Sequence, residues 1–133
     1  MSNTLEGKGI GSNREGTARL GNLGNGIFVN GAPGNRIGGT TAAARNVVSA
    51  NALTGIVIMG GGAERNVVIG NEIGEVLYNF QHGVFIYDAP YNRIGGATPA
   101  ERNIISSNVG SGVVIAGVLA TEKIGRASCR ERV

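Results

Sequence analysis

The groups able to do acid–base, metal or nucleophilic chemistry are few and widely spaced in this chain. Asp88 is its single aspartate, His82 its single histidine and Cys129 its single cysteine. Glutamates stand at positions 6, 15, 64, 72, 75, 101 and 122, with one more in the last ten residues. Hydrolysis of a glycosidic bond needs a pair of carboxyls at a set separation, and calcium takes about six to eight oxygen ligands, carboxylates among them. The one set that approaches either requirement is Glu72, Glu75, Asp88 and Arg93. Nothing in their spacing holds these four together. Asp88 reads better as a turn residue, because it stands where related segments have Gly31, Gly60 and Gly117. His82 has no second histidine or cysteine partner and so makes no metal-site pattern. The inventory yields no catalytic residue, no metal ligand set and no cofactor.

What must position these groups is a repeat. GIFVNG at Gly26, GIVIMG at Gly55, GVFIYD at Gly83 and GVVIAG at Gly112 begin 29, 28 and 29 residues apart. A second series follows them: NRIGG at Asn35, NVVIG at Asn66 and NRIGG at Asn92, with NTLEG at Asn3 as an earlier member. A third comprises RNVVSAN at Arg45, GNEIG at Gly70 and RNIISSN at Arg102. Gly26 to Gly55 also matches Gly83 to Gly112 at an offset of 57, so two units form a super-repeat. Short runs of branched residues between glycine-rich bends are strands, and three of them at a fixed period describe a solenoid.

The side chains say how it packs. One and three places after the first-series glycines come Ile27 and Val29, Ile56 and Ile58, Val84 and Ile86, Val113 and Ile115. Alternate residues of a strand share a face, so these predict one inward column, with like strands parallel and about 4.8 Å apart. Leu5, Ile37, Val68 and Ile94 predict a second column, and Asn51 with Asn108 an asparagine ladder along the axis. An antiparallel sandwich gives no reason for so regular a repeat. A dinucleotide-binding fold is excluded, because no G-x-G-x-x-G lies between a strand and a helix.

Outward on the first series lie Phe28, Val57, Phe85 and Val114, then Asn30, Met59, Tyr87 and Ala116. Phe28 and Phe85 fall two coils apart, about 9.6 Å. A polysaccharide laid along the axis would meet both rings, with Asn30 and Tyr87 as polar contacts. The competing expectation, which Val57 and Val114 favour, is that the loop Ile10 to Asn25 folds over this face and buries the row.

Charge points away from other partners. The formal net charge is +3, but Ile124 to Val133 hold three arginines and one glutamate, which leaves +1 for the rest. Without a basic run, no nucleic-acid partner is expected, and no apolar stretch is long enough for membrane insertion. Arg45, Arg65 and Arg102 precede strand-opening asparagines and Arg36 and Arg93 follow them. They are expected to pair with Glu64 or Glu101 at solvated strand ends rather than to hold an acidic polymer.

GNGIFVNGAPGNRIGGTTAAARNVVSAN and its second copy resemble the N-x-I-G-G-T and N-V-I-S-x-N repeats of the pectate-lyase-like superfamily, as found in large bacterial surface and secreted proteins. IGSNREGTARLGN resembles that family's I-G-T-N-x-x-G-T-A-x-L-G-N loop, and IGEVLYNFQHG a version six residues shorter. The resemblance spans Asn3 to Gly117. It implies an all-β fold, a right-handed parallel β-helix of about four coils of 28–29 residues with three short strands each. It also implies flanking coils in a longer protein and an extracellular or cell-surface location. The function implied is a structural scaffold or a carbohydrate-binding or adhesion module, with a polysaccharide as partner. The same superfamily holds polysaccharide lyases and glycoside hydrolases, so the alternative is part of such an enzyme with its catalytic residues outside this stretch.

Residues 1–123 thus read as one β-helix domain, open at both ends. Ile124 to Val133, IGRASCRERV, differ abruptly in composition and resemble, at all ten positions, one frame of a translated sequencing adapter. They are expected to be foreign to the fold, although Ile124 and Gly125 fall in register with a second-series strand.

Overall fold

The computed structural model describes residues 2–118 and the strand Ser128–Cys129. In chain order the strands are β1 (Thr4–Leu5), β2 (Gly9–Ile10), β3 (Ile27–Asn30), β4 (Arg36–Gly38), β5 (Val47–Val48), β6 (Ile56–Met59) and β7 (Val67–Ile69). They continue with β8 (Glu72–Ile73), β9 (Val84–Tyr87), β10 (Arg93–Ile94), β11 (Ile104–Ile105), β12 (Val113–Ala116) and β13 (Ser128–Cys129). The only helical segments among the described residues are 3-10 turns at Ala42–Ala44 and Pro99–Glu101.

From β1 to β12, every third strand pairs in parallel with its counterpart one coil away, and β13 adds to β11. Sheet I runs β3-β6-β9-β12, sheet II β1-β4-β7-β10 and sheet III β2-β5-β8-β11-β13. The chain is therefore an all-β parallel solenoid of about four turns, with three sheets around one core. The register matches the repeat: Ile27 pairs with Ile56, Ile56 with Val84 and Val84 with Val113. Each inward residue therefore sits on its equivalent in the next coil. In the middle coils Ile56, Ile58, Val68, Ile73, Val84 and Ile94 are fully enclosed. Ile27, Val113 and Ile115, in the terminal coils, are only partly so.

The corners are built from asparagine. Asn3, Asn35, Asn66 and Asn92 form one ladder: each of the first three donates its N–H to the next Oδ1, at 3.0, 2.8 and 2.8 Å. Asn46, Asn71 and Asn103 form a second, and Asn22, Asn51, Asn79 and Asn108 a third. A buried amide costs free energy unless its donors and acceptors are all used. Here the Nδ2 groups also reach main-chain carbonyls, Asn103 to Val68 at 2.8 Å and Asn92 to Ala63 at 2.7 Å. Glycine is required where coils touch at these corners. Gly38 has φ +89°, and a Cβ there would collide with the Ile69 carbonyl and the Asn71 amide.

Two insertions interrupt the third series. Residues 11–21 follow β2, and residues 74–78 follow β8. The first closes as a small hairpin, with Ser12 bridging Arg19 and Asn13 Oδ1 accepting the N–H groups of Thr17 and Ala18 at 2.7 and 2.9 Å. It lies over sheet III and reaches coil three through Arg19, whose Nη1 donates to the Tyr78 carbonyl at 3.1 Å. The expectation that this loop covers sheet I is thus corrected: the turn after β2 directs it over the neighbouring sheet. Of Ile124 to Val133, only Ser128–Cys129 are described, and they pair with Ile104–Ile105 of sheet III. The expected second-series register of Ile124 and Gly125 lies outside the described residues.

Candidate functional site

Two surfaces carry side chains able to recognise a ligand. The first is the outer face of sheet I. Alternation sends Phe28, Phe85 and Tyr87 outward: Phe28 is 54% exposed, Tyr87 41%, and Phe85 half-buried. Val57, in register between Phe28 and Phe85, is only 6% exposed, so the two phenylalanines do not form a continuous row along the axis. The rings line up along β9 instead. His82 and Phe85 lie 5.9 Å apart between centroids at 25°, and Phe85 and Tyr87 6.1 Å apart at 19°. His82 is oriented by its neighbour coil, because the Ser111 N–H donates to its Nδ1 at 3.0 Å. An accepting Nδ1 carries no proton, so in the neutral ring the hydrogen is on Nε2, leaving that nitrogen as a donor. Asn30 is exposed on the same face, in register with Met59 and, one coil further, with Tyr87.

The second surface is a cleft of about 290 Å³ between the hairpin Ser12 to Gly16 and the outer side of sheet III, floored by Arg45, Val47 and Glu72. Register places Glu72 beside Val47 and Ile104. Its carboxylate lies 3.6 Å from Arg45 Nη1. Burial, and then the charge of Glu75, push the Glu72 carboxyl above the ordinary range; Arg45 opposes this, and a hydrogen bond with Glu75 adds to the rise. A neighbouring like charge disfavours the ionised carboxylate. Glycosidases hold their two carboxyls about 5 Å or more apart, with the sugar between them.

The structure brings together Glu72 and Glu75 and leaves the rest of the sequence-based cluster elsewhere. Asp88 closes β9 at the end of sheet I with φ +48°, in the turn position that Gly31, Gly60 and Gly117 occupy in the other coils. Arg93 lies on sheet II, 3.5 Å from Glu101. Three more of the repeat arginines are paired: Arg65 with Glu64, Arg36 with Glu6 at 3.0 Å, and Arg45 with Glu72. The described residues contain no group of three or more His, Cys, Asp and Glu placed to hold a metal, and no helix long and apolar enough to cross a membrane.

Sequence reasoning missed two features of these surfaces. His82 makes no metal-site pattern, but its position just before the strand glycine is the signal that it flanks the outward row. The Arg19 guanidinium lies 4.1 Å over the Tyr78 ring and 4.9 Å from that of Phe80. That contact joins two insertions 59 residues apart in sequence, and no periodicity encodes it.

Compared with protein-family models, with curated proteins and with solved structures, the chain gives no match in any of the three.

Proposed function

We propose that this solenoid is a scaffold of a bacterial surface or secreted β-helix protein of the pectate-lyase-like class, and that its sheet I face binds carbohydrate. The observation that carries the reading is the outward aromatic set Phe28, Phe85 and Tyr87 on a rigid parallel sheet. Sugar rings present flat C–H faces that pack on aromatic side chains, while a few polar groups fix orientation; Asn30, His82 and the Tyr87 hydroxyl are those groups here. A hydrogen-bonded parallel sheet in matched register presents them at fixed spacing, which lowers the ordering cost of binding. The repeat motifs resembling that superfamily support the class and the extracellular location. The alternative, part of a polysaccharide lyase or hydrolase, draws no support from the sequence-based cluster, because Asp88 closes β9 on sheet I and Arg93 pairs with Glu101 on sheet II, away from Glu72 on sheet III.

The test is a glycan array probed with the protein and with Phe28→Ala, Phe85→Ala and the double variant, each accompanied by urea unfolding. Binding lost on Phe85→Ala and in the double variant, at unchanged stability, supports the reading. A fall of about 3 to 5 kcal/mol in unfolding free energy on either substitution would instead make these rings a second layer of core.

A further inference from the structure

The strands of sheet I carry no formal charge, and the carboxylate of Asp88 stands in the turn that closes β9. The four segments 25–30, 54–59, 81–87 and 111–116 contain no Asp, Glu, Lys or Arg. The charged side chains of sheets II and III are present and largely paired: Arg36 with Glu6 and Arg93 with Glu101 on or beside sheet II, Arg45 with Glu72 on sheet III. What sheet I offers is four rings, Phe28, His82, Phe85 and Tyr87, with the Asn30 amide, the His82 imidazole and the Tyr87 hydroxyl able to hydrogen-bond.

A uronate or sulfated polymer recruits cations, and Arg forks above all, to its anionic groups. Bringing such a polymer onto these uncharged, partly apolar strands would strip water from its anions with nothing to replace it. Neutral sugars make no such demand. Their C–H faces meet rings and their hydroxyls meet amide, imidazole and phenol groups. The geometry also sets direction. The ring series His82, Phe85, Tyr87 advances in two steps of 5.9 and 6.1 Å along β9, across the solenoid axis. Along the axis the series is broken by enclosed Val57.

We propose that the ligand of this face is an uncharged glycan lying along β9, contacted by His82, Phe85 and Tyr87, with Phe28 peripheral. The inference rests on the carbohydrate-binding reading above and narrows it to a substrate class and a residue set. His82 is a specificity residue in this arrangement. Its Nδ1 is occupied by Ser111, so Nε2 is the atom that addresses a sugar hydroxyl.

The experiment is affinity electrophoresis and calorimetry with a soluble β-glucan and a galactomannan as neutral probes and polygalacturonate as the acidic probe, each at low and high sodium chloride. The expected result is retention by a neutral probe that does not weaken with salt. Phe85→Ala and Tyr87→Ala should weaken it by about tenfold or more, His82→Gln by a smaller factor, and Phe28→Ala hardly at all. Where Phe85→Ala impairs folding, Tyr87→Ala, at the more exposed position, carries the test. Preference for polygalacturonate that fades with salt yet still depends on Phe85 would overturn the neutral class while leaving the carbohydrate face standing. Phe28→Ala as damaging as Tyr87→Ala would overturn the orientation along β9. Failure to retain any of the three probes, with the protein folded, would remove the carbohydrate reading and this inference with it.

Discussion

Asn71 is tied twice to Asn103 in the next coil: its main-chain N–H and its Nδ2 both donate to Asn103 Oδ1, at 3.0 and 3.1 Å. The same Nδ2 also reaches the Ile37 carbonyl at 2.9 Å, and Asn71 Oδ1 accepts from Asn46 at 2.9 Å. One enclosed amide thus joins three coils. Replacing it strands several buried partners at once, and each unsatisfied group costs about 1 to 3 kcal/mol. Asn71→Ala should lower the unfolding free energy by about 3 kcal/mol or more. Asn71→Leu, which restores volume but no hydrogen bond, should do no better. Equilibrium urea unfolding measures both, and a loss under about 1 kcal/mol would show that the ladder is not cohesive.

Ile58 is fully buried in sheet I, between Val29 and Ile86 in register. Truncation to alanine removes burial and leaves a cavity that neighbouring coils cannot fill without shifting, a cost of about 2 to 5 kcal/mol. The outward Met59, half-exposed on the same strand, should cost under half as much on the same substitution. Chemical denaturation of the pair checks the inward and outward assignment directly.

Gly38→Ala combines two penalties: a left-handed φ of +89° and a Cβ driven into the Ile69 carbonyl. Since that carbonyl belongs to the next coil, relief means separating the coils. The expected outcome is loss of cooperative unfolding by circular dichroism. Ala50→Gly works the other way, because Ala50 holds φ +63°. Strain relief of about 1 to 2 kcal/mol is set against roughly 0.5 to 1 kcal/mol of added unfolded-state entropy. The net change should be neutral or stabilising.

Glu72 should make stability depend on pH. Its carboxyl holds a proton more tightly folded than unfolded, because burial and Glu75 disfavour its charge. That contribution is complete below the ordinary value of 4.5 and is lost as pH rises through the higher folded value. Glu72→Gln removes the titration. Its melting temperature relative to the parent should therefore climb as pH rises from about 4.5. A difference that stays flat across the acid range would show that Glu72 is not the titrating group.

Arg19 spans two insertions over one intervening coil, yet it is exposed, so its contacts with Tyr78 and Phe80 are worth about 0.5 to 1 kcal/mol. Arg19→Ala should barely move the unfolding midpoint. It should nonetheless speed trypsin cleavage after Arg14, at the hairpin tip, because local opening draws on local contacts. Mass spectrometry of timed digests distinguishes this from global loosening.

The repeat alone determined the three strand series, their parallel stacking, and which branched residues face inward. A solenoid superimposes equivalent positions, so a period of 28 to 29 residues with fixed glycines has one consistent packing. The third ladder was half legible, through Asn51 and Asn108. Its other members, Asn22 and Asn79, stand after insertions that shift the numbering away from the period, and only the coil stacking returns them to register. Tertiary structure also decided where those insertions go. The direction of a loop depends on the turn that starts it and on what it meets, such as Arg19 on Tyr78. Nor could alternation separate Phe28 from Val57, both outward by parity, because exposure there depends on the size of neighbours one coil away. Pairing of Glu72 with Glu75, and the distance of both from Asp88 and Arg93, likewise follow from which sheet each residue joins. Charge and residue type were written in the chain; proximity across the coils was not.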